Sequence, residues 1–174
     1  MRFNTRLVVL LLACFTLRPA VADNAIVADK SAVEAAFLYN FALFTEWPEL
    51  PDKTFKICVL GSNAVLAALE SVKLKQISDH PVSVTNISTA TEAQTCQVLF
   101  VGKSEHEYIG NLAKHIGKAP VLVVSEENAY DPKNVIIALV PQQDRIGFKI
   151  NRTAAQANSL TFSSKLLKLA VQVY

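Results

Sequence analysis

Apolar positions along this chain follow two periods, one helical and one of strands. Phe37, Leu38, Phe41 and Phe44 recur at helical spacing, with Tyr39 and Asn40 between them. Ser31, with Glu34 three residues on, reads as a capping box that opens this helix. Trp47-Pro48 closes it, because the residue before a proline is driven out of the helical region. Asp23–Lys30 reads as a loose polar arm and Pro48–Asp52 as a turn. Phe55–Leu60 is a continuous apolar run of the buried-strand type, and Gly61-Ser62-Asn63 turns from it into a helix over about 64–74. Val82–Ile87 alternates apolar and polar, as a strand nearer a sheet edge does. Gln97–Val101 and Val121–Val124 are two more buried-type strands, separated by a helix over Glu105–Ile116 that Gly117 ends. Glu126–Asn134 is a polar turn region.

Two further strands, Val135–Val140 and Ile146–Ile150, are separated only by Pro141–Arg145. That connection is too short for a helical crossover, so they pair as an antiparallel hairpin. Asn151 caps a helix through Ala157. After a break at 158–162, a last helix runs from Ser164 to about Val173. Strands separated by helical patterns predict an α/β fold: a single three-layer domain, with a mainly parallel sheet flanked by helices and an antiparallel edge hairpin.

The first 22 residues follow a different logic. Arg2 and Arg6 precede the apolar run Leu7–Leu12, and Ala20-Val21-Ala22 has the small-x-small form of a cleavage site. The run is too short to span a bilayer, so residues 1–22 read as a signal peptide cleaved between Ala22 and Asp23, with residues 23–174 as the mature domain. The signal changes the charge balance. The whole chain has 17 Lys+Arg and 15 Asp+Glu, but residues 1–22 hold three Arg and no acid, so the mature part has 14 basic and 15 acidic residues. The nominal basic excess belongs to the signal, and no basic stripe calls for a nucleic-acid partner. Removal of the signal also takes Cys14, leaving Cys58 and Cys96 as one possible bridge or two separate thiols.

Candidate chemistry is sparse. Gly61-Ser62-Asn63 lacks both the dinucleotide-binding and the P-loop pattern, and an ordinary strand-to-helix turn explains it. His106 and His115 are nine residues apart on one predicted helix and so face opposite sides; with His80 they complete the histidines and predict no metal site. Glu126, Glu127 and Asp131 form an acidic loop best read as solvated. No nucleophile–base pair can be assembled, so the chain reads as a non-enzyme without a cofactor. The helix over 31–47 and the last helix are more informative, because both carry an excess of apolar surface. Either they pack as core, or Phe41, Phe44, Trp47, Leu166 and Leu169 contribute to a partner-binding surface.

Several segments in order resemble the YfiR-like periplasmic proteins. These are Ala35-Ala36-Phe37-Leu38-Tyr39-Asn40-Phe41 reaching Thr45-Glu46-Trp47-Pro48, then Phe55–Gly61, Cys96–Gly102, Arg145–Asn151 and Ser163–Leu167. The resemblance implies an exported, non-enzymatic α/β protein that forms a homodimer. It implies repression of an inner-membrane diguanylate cyclase through that enzyme's periplasmic domain, which lowers cyclic di-GMP and biofilm formation. It also maps the family's oxidised cysteine pair onto Cys58 and Cys96. Some relatives have a second cysteine pair near 130–140, which this chain lacks. Where relatives place basic residues, this chain has Glu46, Thr161 and Ser163, so no ligand site is carried over. The alternative reading is a periplasmic small-molecule sensor or carrier with no cyclase partner.

Overall fold

A computed structural model describes residues 22–48, 50, 53–126, 133–143 and 145–174; of 22–29 it describes the backbone only. The predicted signal segment and two residues of the acidic loop, Glu127 and Asp131, lie outside the described residues, as does much of the turn after Pro48.

The first helix, α1, spans Ala22–Leu43 and is followed by a two-residue strand β1, Thr45–Glu46. Then come β2 (Phe55–Leu60), α2 (Asn63–Ala68) with a 3-10 turn at Leu69–Val72, β3 (Gln76–Ile77) and β4 (His80–Asn86). A 3-10 turn at Glu92–Thr95 leads to β5 (Val98–Val101), and another at Lys103–Tyr108 leads to α3 (Ile109–Ile116). The chain continues through β6 (Leu122–Glu126), β7 (Ile137–Gln142), β8 (Arg145–Ile150), α4 (Arg152–Ala157), β9 (Thr161–Phe162), α5 (Ser164–Leu169) and β10 (Gln172–Val173).

Eight strands form one sheet in the order β10-β8-β7-β6-β5-β2-β4-β3, and β1 pairs with β9 as a separate ribbon. The β4-β2-β5-β6-β7 stretch is parallel, while β7–β8 is the antiparallel hairpin. Helices cover both faces, and the two-residue period of the strands sorts their side chains. Ile57, Val59, Phe100, Leu122, Val124, Ile137 and Leu139 face the cluster that holds α1, α2, α4 and α5 residues. Cys58, Leu99, Val101, Val123 and Ala138 face the cluster of α3. The three-layer α/β expectation holds.

Several local expectations do not. The helix does not open at Ser31, which is buried in mid-helix; α1 extends back to Ala22, replacing the predicted arm. The stretch 22–30 contains no Gly or Pro and is rich in Ala, so nothing in it stops a helix. Glu34 spends its side chain on Lys30, at 3.3 Å, and not on a cap. The same helix ends at Leu43, short of Trp47. Phe44 carbonyl accepts from Ser163 N–H at 2.9 Å and Thr45 pairs with Phe162, so a tertiary ribbon replaces the last helical turn. The helix after Gly61 is shorter than predicted, passing to 3-10 geometry at Leu69, and the segment before α3 is 3-10 as far as Tyr108. The last helix stops at Leu169. Beyond it Val171 N–H donates to Phe148 carbonyl at 2.9 Å, and β10 adds to β8 in parallel, so the hairpin is not the sheet's edge. β-branched Val171 and Val173 suit that extended segment.

Candidate functional site

The sheet's switch point lies between β2 and β5, because the chain leaves β2 in one direction and β5 in the other. Ligands of open parallel sheets usually bind at such a switch point. Here the chain itself fills it. Gly102 N–H donates to Leu60 carbonyl at 2.8 Å, and a Cβ on Gly102 would stand 2.6 Å from Gly61 carbonyl oxygen. Gly61 has φ +77° and lies under the Ser104 and Glu105 side chains, so only glycine fits. Ser62 accepts from Val65 N–H at 3.4 Å, as an ordinary N-cap of the six-residue α2. The turn is structural.

Two residues before Leu60, Cys58 of β2 is bonded to Cys96, 38 positions away in sequence, with Cα atoms 5.9 Å apart. Cys96 precedes β5, the direct neighbour of β2, so the bridge ties adjacent strands on the α3 face. Both cysteines are 2% exposed.

The five apolar residues marked from sequence do not share one surface. Phe41 is fully buried and Leu166 is 2% exposed, so both are core. Phe41 packs on Phe37 and Phe148, with ring centroids 5.4 and 4.9 Å away. Phe44 and Trp47 are half-buried. Trp47 stacks edge-on to Phe55 at 5.2 Å, and its Nε1 donates to Ala42 carbonyl at 3.4 Å. Leu169 is 68% exposed. Sequence reasoning missed its neighbours: Val171, Val173 and Tyr174 are also exposed, and Val171 joins Leu169, Phe37 and Ile146 around a groove of about 220 Å³ beside the hairpin. The signal for this patch was present, but the predicted helix assigned those residues to alternating faces.

A polar site lies at the carboxyl ends of β6 and β7. Glu34 of α1 is 2% exposed and lines a cavity of about 150 Å³ together with Lys30, Glu126 and apolar residues of the hairpin. Lys30 Nζ donates to Glu126 Oε2 at 3.0 Å. It stands 3.3 Å from Glu34 Oε1 without hydrogen-bond alignment, and that buried oxygen accepts no hydrogen bond. Burial pushes the Glu34 carboxyl above the ordinary value of 4.5, against the pull of Lys30 and with a smaller push from Glu126. The two carboxylates in turn raise Lys30 despite its own partial burial. The predicted solvated loop thus has one member, Glu126, engaged in a specific ion pair. His106 and His115 are exposed, and among the described residues no group of three or more His, Cys, Asp or Glu is placed to hold a metal.

Parallel strands flanked by helices, with Cys58 bonded to Cys96, define a small α/β domain. The chain belongs to the YfiR/HmsC-like family, whose sequence model matches residues 31–171. That family consists of periplasmic regulators of diguanylate cyclase, and they are regulators rather than enzymes. No curated protein sequence matches the chain. Among solved structures it is similar to the ABC domain in complex with L-Trp from Streptococcus pneumonia, with 13% identity and a TM-score of 0.49. The match covers 72% of this chain and 57% of that one. Among the described residues no helix is long and apolar enough to cross a membrane.

Proposed function

We propose that the chain is exported by a signal peptide cleaved between Ala22 and Asp23, forms a homodimer, and represses an inner-membrane diguanylate cyclase. It does so by contact with the cyclase's periplasmic domain, lowering cyclic di-GMP and biofilm formation. The observation that supports this reading, beside the family, is the exposed apolar strip Leu169, Val171, Val173 and Tyr174 at the edge of the sheet. Phe44 and Trp47 are the other partly exposed candidates for the contact. A repressor of this kind acts by differential affinity: it shifts the partner toward its inactive state by as much as it prefers that state and no more.

The test is cellular cyclic di-GMP in the source bacterium, with the gene deleted, restored, and restored as Leu169→Asp. Deletion should raise the nucleotide, the wild-type gene should lower it again, and the variant should fail to do so while accumulating normally. No change on deletion would reject the reading. It would favour the small-molecule sensor, which draws its own support from the cavity at Glu34.

A further inference from the structure

The near-neutral balance of residues 23–174 hides a division of charge. Residues 145–174 hold Arg145, Lys149, Arg152, Lys165 and Lys168 and no Asp or Glu, whereas residues 23–144 hold nine Lys+Arg and fifteen Asp+Glu. The basic block comprises β8, α4, β9, α5 and β10, and it carries the exposed strip Leu169, Val171, Val173 and Tyr174. Lys165, Lys168 and Leu169 are spaced by three and four residues or less and share the exposed side of α5. Arg145 lines the groove with Leu169 and Val171. Arg145, Arg152, Lys165 and Lys168 are exposed and form no ion pair among the described residues.

β10 is the end strand of its sheet, with β8 on one side and no strand on the other among the described residues. Tyr174 bonds inward through both backbone groups: its N–H donates to Ile150 carbonyl at 3.1 Å, and its carbonyl accepts from Arg152 N–H at 2.7 Å. Backbone groups of successive strand residues point to opposite sides, so Val173 turns its N–H and C=O to the open side. We propose that β10 receives an extended acidic segment of a protein partner. The segment adds a strand at Val173, lays apolar side chains on Leu169 and Val171, and sets carboxylates against Arg145, Lys165 and Lys168. The proposal rests on the reading of this strip as the contact surface and adds the conformation and charge of what binds there. A second copy is the poorer occupant, because two-fold pairing edge to edge sets these cations against their own equivalents. An anionic bilayer would answer the cations but offers no backbone to Val173, whose polar groups are costly to bury in lipid.

The test uses the mature full-length protein and a capped heptapeptide of alternating Glu and Val, followed by nuclear magnetic resonance. Its Lys and Val counterpart, the acidic peptide with its central Val replaced by Pro, and phosphatidylcholine vesicles with and without phosphatidylglycerol serve as comparisons. The acidic peptide should bind saturably, with amide shifts centred on residues 171–174. Raising sodium chloride from about 20 to about 200 mM should weaken it about tenfold. The lysine peptide should not bind, and the proline peptide should bind at least about tenfold more weakly, having lost a strand donor. Combined Lys165→Glu and Lys168→Glu substitution should exchange the preference, so that the lysine peptide binds and the acidic one does not. Should that variant fail to fold, the peptide comparisons on the wild type decide alone. Equal binding of the lysine or proline peptide, no saturable binding, or binding to the anionic vesicles alone would overturn the proposal. The repressor reading is judged separately, by cyclic di-GMP on deletion, so the failure of one is not mistaken for the failure of the other.

Discussion

The two faces of the sheet are held by different means. On one, α1, α2, α4 and α5 cover the strands with large side chains, and Phe37, Phe41 and Phe148 contact one another with ring centroids 4.9 to 5.7 Å apart. On the other, α3 covers a smaller cluster whose buried members include no aromatic residue, and Cys58–Cys96 crosses it. Apolar area stabilises in proportion to what is buried, whereas a cross-link acts mainly by restricting the unfolded chain. The bridge therefore stands on the face with less aromatic area to offer.

The sharpest way to break this contrast is Phe41→Ala. It should cost about 3–5 kcal/mol in urea unfolding, because the site is fully enclosed and cannot collapse onto the vacancy. Replacing both Cys58 and Cys96 by Ala should come next, at about 2–4 kcal/mol, near the loop-entropy value for a sequence separation of 38. Reduction of the wild type should reproduce most of that loss while leaving the near-ultraviolet dichroism of the aromatic face largely intact. A smaller effect, about 1 kcal/mol, is expected for Asn151→Ala, which removes the cap accepting from Ala154 N–H at 2.8 Å.

Glu34 is the polar interruption of the aromatic side, and its effect is best read against pH. Its folded-state pKa is raised, so the folded chain keeps a proton there that the unfolded chain has already lost. Its contribution to stability consequently falls as pH rises through the window above 4.5. The stability of Glu34→Gln relative to wild type should increase over that window, and a flat difference curve would show that the carboxyl is not burdened. Lys30, also raised, keeps its favourable contribution at neutral pH and loses it only above its ordinary 10.5. The smallest effect is expected at Leu169→Asp, within about 0.5 kcal/mol in unfolding, since the residue is mostly solvated. A large loss there would move Leu169 from contact surface to core.

Much of the fold was legible because its signals are local. The apolar run of β2, the short hairpin connection and the Asn151 cap are each set within a few residues, and all three appear as expected. The cysteine pairing was carried by family resemblance, and the structure has it. What escaped depends on partners far along the chain. β1 and β10 are two residues each and exist only because Phe162 and Lys149–Ile150 pair with them. Ser31 and Glu34 fit a capping pattern yet sit in mid-helix, because the residues before them have no reason to leave the helix. The cavity was invisible for the same reason: Glu34 and Glu126 are 92 positions apart, and only the packing of α1 across β6 brings Lys30 between them.

The ribbon of β1 with β9 also sets an order of assembly. Chains emerge from synthesis amino end first. The inner side of α1 finds its aromatic partner Phe148 and its terminal pairing at Thr161–Phe162 only after more than a hundred further residues have appeared. Until then α1 can pack on α2, which follows it closely, but Phe41 lacks the ring of Phe148, a waiting period in which a holdase chaperone has its best target and a truncated product hides that side only in part.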